Sequence, residues 1–234
     1  MPIFKADGRL VYYAHVPRCA GGALGRYVRA RFGPVAFEDR THARQPAAAR
    51  WSRTSPQHVS RDSLARLFPR GFFDASFAVV RHPTDRLVSA YRFHREVEGT
   101  IPEKTDFSEW LDDVADLIEE TPFAFDNHIR PMDDIVPSEA QVFHLEDGSA
   151  PVVSWLDTLG GGRADADGPA PWTPAPPSTP PAADTPGPDI TRYDRDLIAR
   201  LYAADFARFG YDPEARARGA APDPPAARRL WTRR

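Results

Sequence analysis

The sequence predicts an α/β fold, a three-layer sandwich whose mostly parallel sheet is covered by helices on both faces. Two segments carry most of that prediction. Leu10 to Val28, LVYYAHVPRCAGGALGRYV, and Phe77 to Phe93, FAVVRHPTDRLVSAYRF, each begin as a short apolar run, break at a proline and continue with helical spacing. Short buried strands alternating with amphipathic helices are the pattern of a parallel sheet enclosed on both sides. The third observation is what stands at each break, namely basic and small residues where a new helix begins. Free N–H groups and the helix dipole favour an anion at such a point. Two such turns point to a ligand with two separated phosphate-like groups, bound beyond the carboxyl ends of the strands.

Each element has its own justification. Leu10 to Val16 reads as a buried strand, and the helix after it places Ala23, Leu24, Tyr27 and Val28 on one face. Ser60 is a suitable N-cap for a short helix to Phe68, with Leu64, Leu67 and Phe68 inward. Phe77 to Val80 is a second strand, and Pro83 fits the first turn of a helix whose inner face is Leu87, Val88 and Tyr91. Asp106 and Glu109 form a capping pair ahead of Phe107, Trp110, Leu111, Val114, Leu117 and Ile118. Gln141 to Leu145 is a third strand. A last helix, Thr191 to Phe209, carries Tyr193, Leu197, Ile198, Leu201, Tyr202 and Phe206 and stops at Gly210.

Composition bounds the rest. At 234 residues the chain can hold one full-sized core, read as a single domain over 1–212 with an Arg/Pro-rich flexible tail over 213–234. Residues 160–188 are Gly, Ala, Pro, Asp and Thr with almost no large apolar side chain except Trp172, which predicts a mobile insertion. A net charge of −3 gives no general reason to bind nucleic acid. Cys19 is the one cysteine, so no internal disulfide forms. The opening MPIFKADGR lacks a signal peptide's apolar core, and no run reaches the roughly 18 apolar residues of a membrane span. The expectation is a cytoplasmic protein without an integral membrane segment.

The first turn, His15-Val16-Pro17-Arg18-Cys19-Ala20-Gly21-Gly22-Ala23, lacks the GxxxxGK[ST] spacing of a Walker loop but keeps its physics. Small residues let backbone N–H groups close around an oxyanion, and one basic side chain reaches it. Taken alone, the loop is equally a tight strand–helix connection whose glycines permit close packing. In the second turn Arg81 can grip a phosphate with its planar fork and Ser89 can donate one hydrogen bond, although either residue by itself reads as an exposed arginine or a helix-interior serine. Between them lies Ser55-Pro56-Gln57-His58-Val59.

These segments resemble the PAPS-dependent sulfotransferases, in particular the carbohydrate group that includes heparan sulfate 2-O-sulfotransferase and its small bacterial relatives. The resemblance extends to DNHIRP at Asp126 to Pro131, VFHLED at Val142 to Asp147 and the closing YAADFARFGYD helix. Two departures stand out: Arg18 occupies the place of the usual lysine, and Gly22-Ala23 replace hydroxyl residues.

The resemblance implies a P-loop-NTPase-like fold and a donor, 3′-phosphoadenosine-5′-phosphosulfate (PAPS). Arg18, Cys19, Ala20, Gly21, Gly22 and Ala23 would hold its 5′ group, and Arg81 with Ser89 its 3′-phosphate. Arg192, beside Thr191 beyond the insertion, is a further nucleotide contact. His58 would be the general base, since imidazole can take an acceptor hydroxyl's proton near neutrality, and Arg18 would neutralise charge on the leaving oxygen. His15 and His128 are rivals for the base, whereas His42, His82, His94 and His144 have no comparable context. Arg86 is expected to pair with nearby acids or solvent. No metal cluster is evident and the chemistry requires none. The acceptor is a hydroxyl, on a carbohydrate by resemblance. A kinase using ATP and a non-catalytic nucleotide binder remain as alternatives, and oligomeric state is not legible.

Overall fold

Four strands form one sheet in the order β1 (Ile3–Ala6), β2 (Arg9–Ala14), β3 (Ala75–Val80) and β4 (Gln141–His144). The computed structural model describes residues 1–121, 123–160 and 187–215. Nearly all of the predicted insertion and tail therefore lies outside the described residues. β2 and β3 run parallel with Ala14 opposite Ala78, and β3 and β4 run parallel with Val80 opposite His144. Val11–Ala14 and Phe77–Val80 are buried at every position, so both faces of the central strands are covered.

β1 was not foreseen. It pairs antiparallel with β2 through a two-residue turn in which Asp7 and Gly8 take φ of 47° and 80°. An Asp-Gly pair between apolar runs is a strong hairpin signal, because both central residues of that turn need positive φ. β2 also ends at Ala14 rather than Val16, since the Val16 amide turns back onto the Ala14 carbonyl at 3.0 Å.

Seven α-helices complete the described residues: α1 (Gly21–Phe32), α2 (Arg61–Leu67), α3 (Pro83–Glu96), α4 (Phe107–Glu120), α5 (Ala150–Thr158), α6 (Arg192–Leu201) and α7 (Ala203–Phe209). The Ser60 cap of α2 and the Asp106–Glu109 capping box of α4 form as read. One apolar core joins the sheet to Leu24 and Val28 of α1, Leu64 of α2, and Val152 and Leu156 of α5. A second joins Leu87 and Tyr91 of α3 to Trp110, Leu111 and Val114 of α4, Leu197 and Ile198 of α6, and Phe206 of α7. Full burial of each such side chain is worth about 1.5–3 kcal/mol. No helix of the described residues is long and apolar enough to cross a membrane.

Three readings are corrected here. Leu67 and Tyr193 point outward, 57% and 54% exposed, because α2 is only two turns long and the inner stripe of α6 falls on Leu197 and Ile198. The last helix is two, broken at Tyr202 (φ −112°, ψ 26°), whose buried hydroxyl donates to the Ile129 carbonyl at 2.5 Å. The break turns Asp205 to accept the Met132 and Asp133 amides at 2.9 and 2.8 Å, and burial pushes its carboxyl up to about 6.

Arg86 is the third correction. It is fully buried and donates to backbone carbonyls: Nε to Pro17 at 3.2 Å, Nη2 to His128 at 3.0 Å and Arg130 at 2.7 Å. One side chain of α3 thus ties the loop after β2 to the loop after α4. Arg86→Met keeps most of the volume but leaves those carbonyls unpaired, at about 1–3 kcal/mol each. Thermal unfolding should show a midpoint lowered by at least about 6 °C, because three carbonyls at the low end already cost about 3 kcal/mol; a fall of under about 2 °C would mean that the tie is dispensable.

Candidate functional site

The first turn is built from strained backbone. Arg18 and Ala20 have φ of 67° and 60°, and each non-glycine residue in that region costs on the order of 1 kcal/mol. Ala20 is the N-cap of α1, without a side-chain cap and without an acidic residue in the following turn. The Ala23 amide is already bonded to the Ala20 carbonyl at 3.0 Å, which leaves Gly21 and Gly22 as the amides at the helix start. Gly21 is obligatory, since a Cβ there would lie 1.6 Å from Nε2 of His15. Cys19 is buried, which pushes its thiol up to about 12, so this residue offers the loop its backbone rather than a nucleophile.

The second turn arrives at the same edge of the sheet. Because β2 and β3 are parallel neighbours, Arg81 follows β3 on the side where His15 follows β2. Arg18 joins the two turns directly: its Nε donates to Ser89 Oγ at 3.1 Å, and its guanidinium stacks 4.4 Å above the Phe93 ring. Burial first, and then the nearby Arg81 charge, lower the Arg18 guanidinium to about 10. Neither arginine has an ion-pair partner among the described residues. Two close guanidiniums without a carboxylate are suited to a multiply charged anion.

Beside this cationic pair opens a cleft of about 730 Å³. Gly21, Gly22, His15, His58, His94, Phe93 and His128 line it, with Arg26, Asp39, Arg40, Gln57 and Glu98 among its polar walls. Arg18, Arg81 and Ser89 are not among its lining residues; Phe93, beneath Arg18, connects them to it.

His58 is 7% exposed, and its Nδ1 lies 2.8 Å from Oδ2 of Asp126. Asp126 also accepts the amide and hydroxyl of Ser55 at 2.5 and 2.6 Å. Burial opposes the Asp126 charge, but His58 and Ser55 together hold its carboxyl below the ordinary range. An ionised carboxylate only accepts, so the proton sits on Nδ1 of His58 and the lone pair on Nε2.

The carboxylate reaches that position through three consecutive left-handed residues, Phe125, Asp126 and Asn127, with φ of 49°, 55° and 63°. The buried Asn127 fixes the arrangement by donating to the His58 carbonyl at 2.7 Å. His15 and His128 flank His58 with ring centroids at 4.9 and 5.1 Å, and Nε2 of His94 meets Nδ1 of His128 at 2.9 Å. Burial holds His15 and His128 well below the usual imidazole range and His94 at about 4.

Sequence reasoning passed over Asp126 and His94. Asp126 stood in a motif noted without a role, and Asp-Asn is a pair that tolerates positive φ. His94 carried no signal, because its place depends on how α3 crosses the 125–128 loop. His42, His82 and His144 instead meet the backbone carbonyls of Ser52, Asp212 and Phe209, as structural histidines do. Arg192 begins α6 with an exposed side chain 3.9 Å from Asp196, and Thr191 caps that helix with Asp194, so neither lines the cleft. The expectation of no metal cluster is also revised: ligating atoms of His58, Asp126 and His128 all lie within 4.8 Å of one another.

No curated protein and no solved structure matches the chain. A family model described as "Sulfotransferase family" matches residues 2–145, the span that holds the whole sheet, both turns and every residue lining the cleft. That match covers more than half of the 234 residues, and the chain belongs to the sulfotransferase family.

Proposed function

We propose that this sulfotransferase moves a sulfuryl group from PAPS to a hydroxyl of a carbohydrate acceptor, on a P-loop-like sandwich of the carbohydrate-type branch. The observation that carries the reading is the pairing of His58 with Asp126 beside the glycine start of α1. The chain's residues fit such a donor. An uncapped helix N-terminus without acids, a left-handed Arg18-to-Ala20 loop, and Arg18 and Arg81 without an ion-pair carboxylate among the described residues together suit its two phosphate-bearing ends.

The donor supplies an activated sulfuryl group with a phosphate leaving group. Asp126 holds His58 in one tautomer, and Nε2 of His58 takes the proton as the acceptor oxygen bonds to sulfur. Arg18 stabilises the charge that collects on the bridging oxygen when its bond to sulfur breaks, which is positional and electrostatic catalysis. Arg81 and Ser89 fix the 3′-phosphate; Ser89 already meets Arg18, so the two grips are mechanically coupled. Asp39, Arg40, Gln57, Glu98 and Thr100 give the cleft the mixed donors and acceptors that a polyhydroxyl acceptor needs, with Phe93 and Phe125 as apolar faces.

His58→Ala should lower turnover by about 10²–10⁴-fold, and Asp126→Asn by about 10–100-fold, while donor affinity stays within error. Steady-state rates beside equilibrium titration decide this, and full activity in His58→Ala removes it from the mechanism. Adenosine 3′,5′-bisphosphate should raise the melting temperature where Mg-ATP does not, and Arg81→Ala should abolish most of that shift. A protein indifferent to the bisphosphate is not a PAPS enzyme.

The imidazoles also set an acid limit. A histidine depressed when folded stabilises the fold fully above its unfolded value of about 6.5, and that contribution is lost as pH falls toward the folded value. For His94, held at about 4, the loss amounts to about 3 kcal/mol. Asp205 acts in the opposite sense below about 6 and offsets part of it. Urea unfolding should show less stability at pH 5 than at pH 7, with a smaller difference in His94→Gln; equal differences in both proteins would contradict the assignment.

A further inference from the structure

The proposed base pair, His58 and Asp126, stands beside His128, and the three together form a metal-ligand set that sulfuryl transfer does not call for. His58, Asp126 and His128 present two imidazoles and a carboxylate with ligating atoms within 4.8 Å, on one side of an open cleft. That composition suits borderline dications such as Zn²⁺ or Co²⁺, and the cleft leaves room for exchangeable ligands.

The set is oriented by outer contacts of the kind that accompany metal-bound histidines. His94 engages Nδ1 of the buried His128 at 2.9 Å, which leaves Nε2 of His128 for a metal, and His94 is itself steadied by Thr100 Oγ1 at 3.1 Å. The Ser55 amide and hydroxyl fix the Asp126 carboxylate. His58 Nδ1 and Asp126 Oδ2, now 2.8 Å apart, need to open only to about 3.3 Å to share a tetrahedral metal. Arg18 and Arg86 make the surroundings positive, which disfavours Mg²⁺ or Ca²⁺, held by charge alone, and selects a metal with strong nitrogen bonds.

We propose that His58, Asp126 and His128 bind one Zn²⁺-type ion per chain, and that this ion inhibits transfer by occupying the imidazole that the acceptor requires. The inhibitory half rests on the reading of His58 as the base; the binding half does not.

The test uses the full chain, stripped with chelator, and follows ZnCl₂ by calorimetry and CoCl₂ by visible absorption, with MgCl₂ as comparison. One Zn²⁺ per chain and intense four-coordinate Co²⁺ bands are expected, with no Mg²⁺ heat. His128→Gln should weaken Zn²⁺ by at least about tenfold, whereas the distant His144→Gln should not. If His128→Gln fails to fold by circular dichroism, His58→Gln carries the same comparison.

Absence of Zn²⁺ binding, or binding unchanged in the folded variant, overturns the site. Zn²⁺ bound through these residues while turnover is unaffected overturns the inhibition and removes His58 as base. Chelator-reversible inhibition with bisphosphate still bound supports both. A chain that binds Zn²⁺ through His128 yet ignores the bisphosphate keeps the metal site and loses the PAPS reading.

Discussion

The parallel pairing of β2 and β3 is the constraint from which the site follows. Each strand ends in a turn that starts a helix, and parallel neighbours release both turns at one edge of the sheet. Had β3 run the other way, six residues at about 3.3 Å each would have carried Arg81 nearly 20 Å from Arg18. Instead the Arg81 charge lies close enough to help lower the Arg18 guanidinium, and Arg18 reaches across to Ser89. Continuous burial of Val11–Ala14 and Phe77–Val80 fixes this register, because a one-residue slip would exchange the two covered faces of a strand.

The surrounding loops are costly, and the structure concentrates that cost where chemistry is proposed. Arg18 and Ala20 on one side and Phe125 to Asn127 on the other are left-handed without being glycine. Such backbone persists only where neighbours over-determine it. Arg86 does so for both loops at once, holding Pro17 with one nitrogen and His128 and Arg130 with another. Asn127 adds a clasp on the segment that carries His58. The turn after β2 and the histidine–carboxylate pair are therefore parts of one rigid unit, although more than 100 residues separate Arg18 from Asp126.

What could be read beforehand was local. Strand-to-helix turns, capping pairs and the stop at Gly210 are determined by residues within a few positions of each other, and they formed where the spacing put them. The Asp7-Gly8 hairpin was equally local and was passed over because Ile3–Ala6 is too short to stand out as apolar. The break at Tyr202 was not legible: the helical stripe runs through it, and only the distant Ile129 carbonyl explains why the chain turns there. His58 could be singled out by context, but its partner Asp126 sits 68 positions away and is presented by a backbone shape that Phe125 gives no reason to expect. Arg86 reads as a surface arginine on a helix, and its burial depends on three carbonyls from two remote loops.

The charge pattern across the site explains why one histidine among four is set apart. Only His58 has a carboxylate on its ring; His15, His94 and His128 lie in buried surroundings that keep them neutral at pH 7. Arg18 contributes to that neutrality at His94 and His128, so the guanidinium proposed to meet the donor also suppresses protonation of the imidazoles behind it. The Phe93 ring lies between these groups, 4.4 Å from the Arg18 guanidinium and 5.3 Å from both the His94 and His128 rings. Its face favours the cation. On the proposed role of His58 as base, a protonated His128 would repel the arriving proton from about 5 Å, in a setting of low dielectric where such repulsion is strong. With its neighbours held neutral, that proton meets only Asp126, already ionised and fixed on the opposite nitrogen.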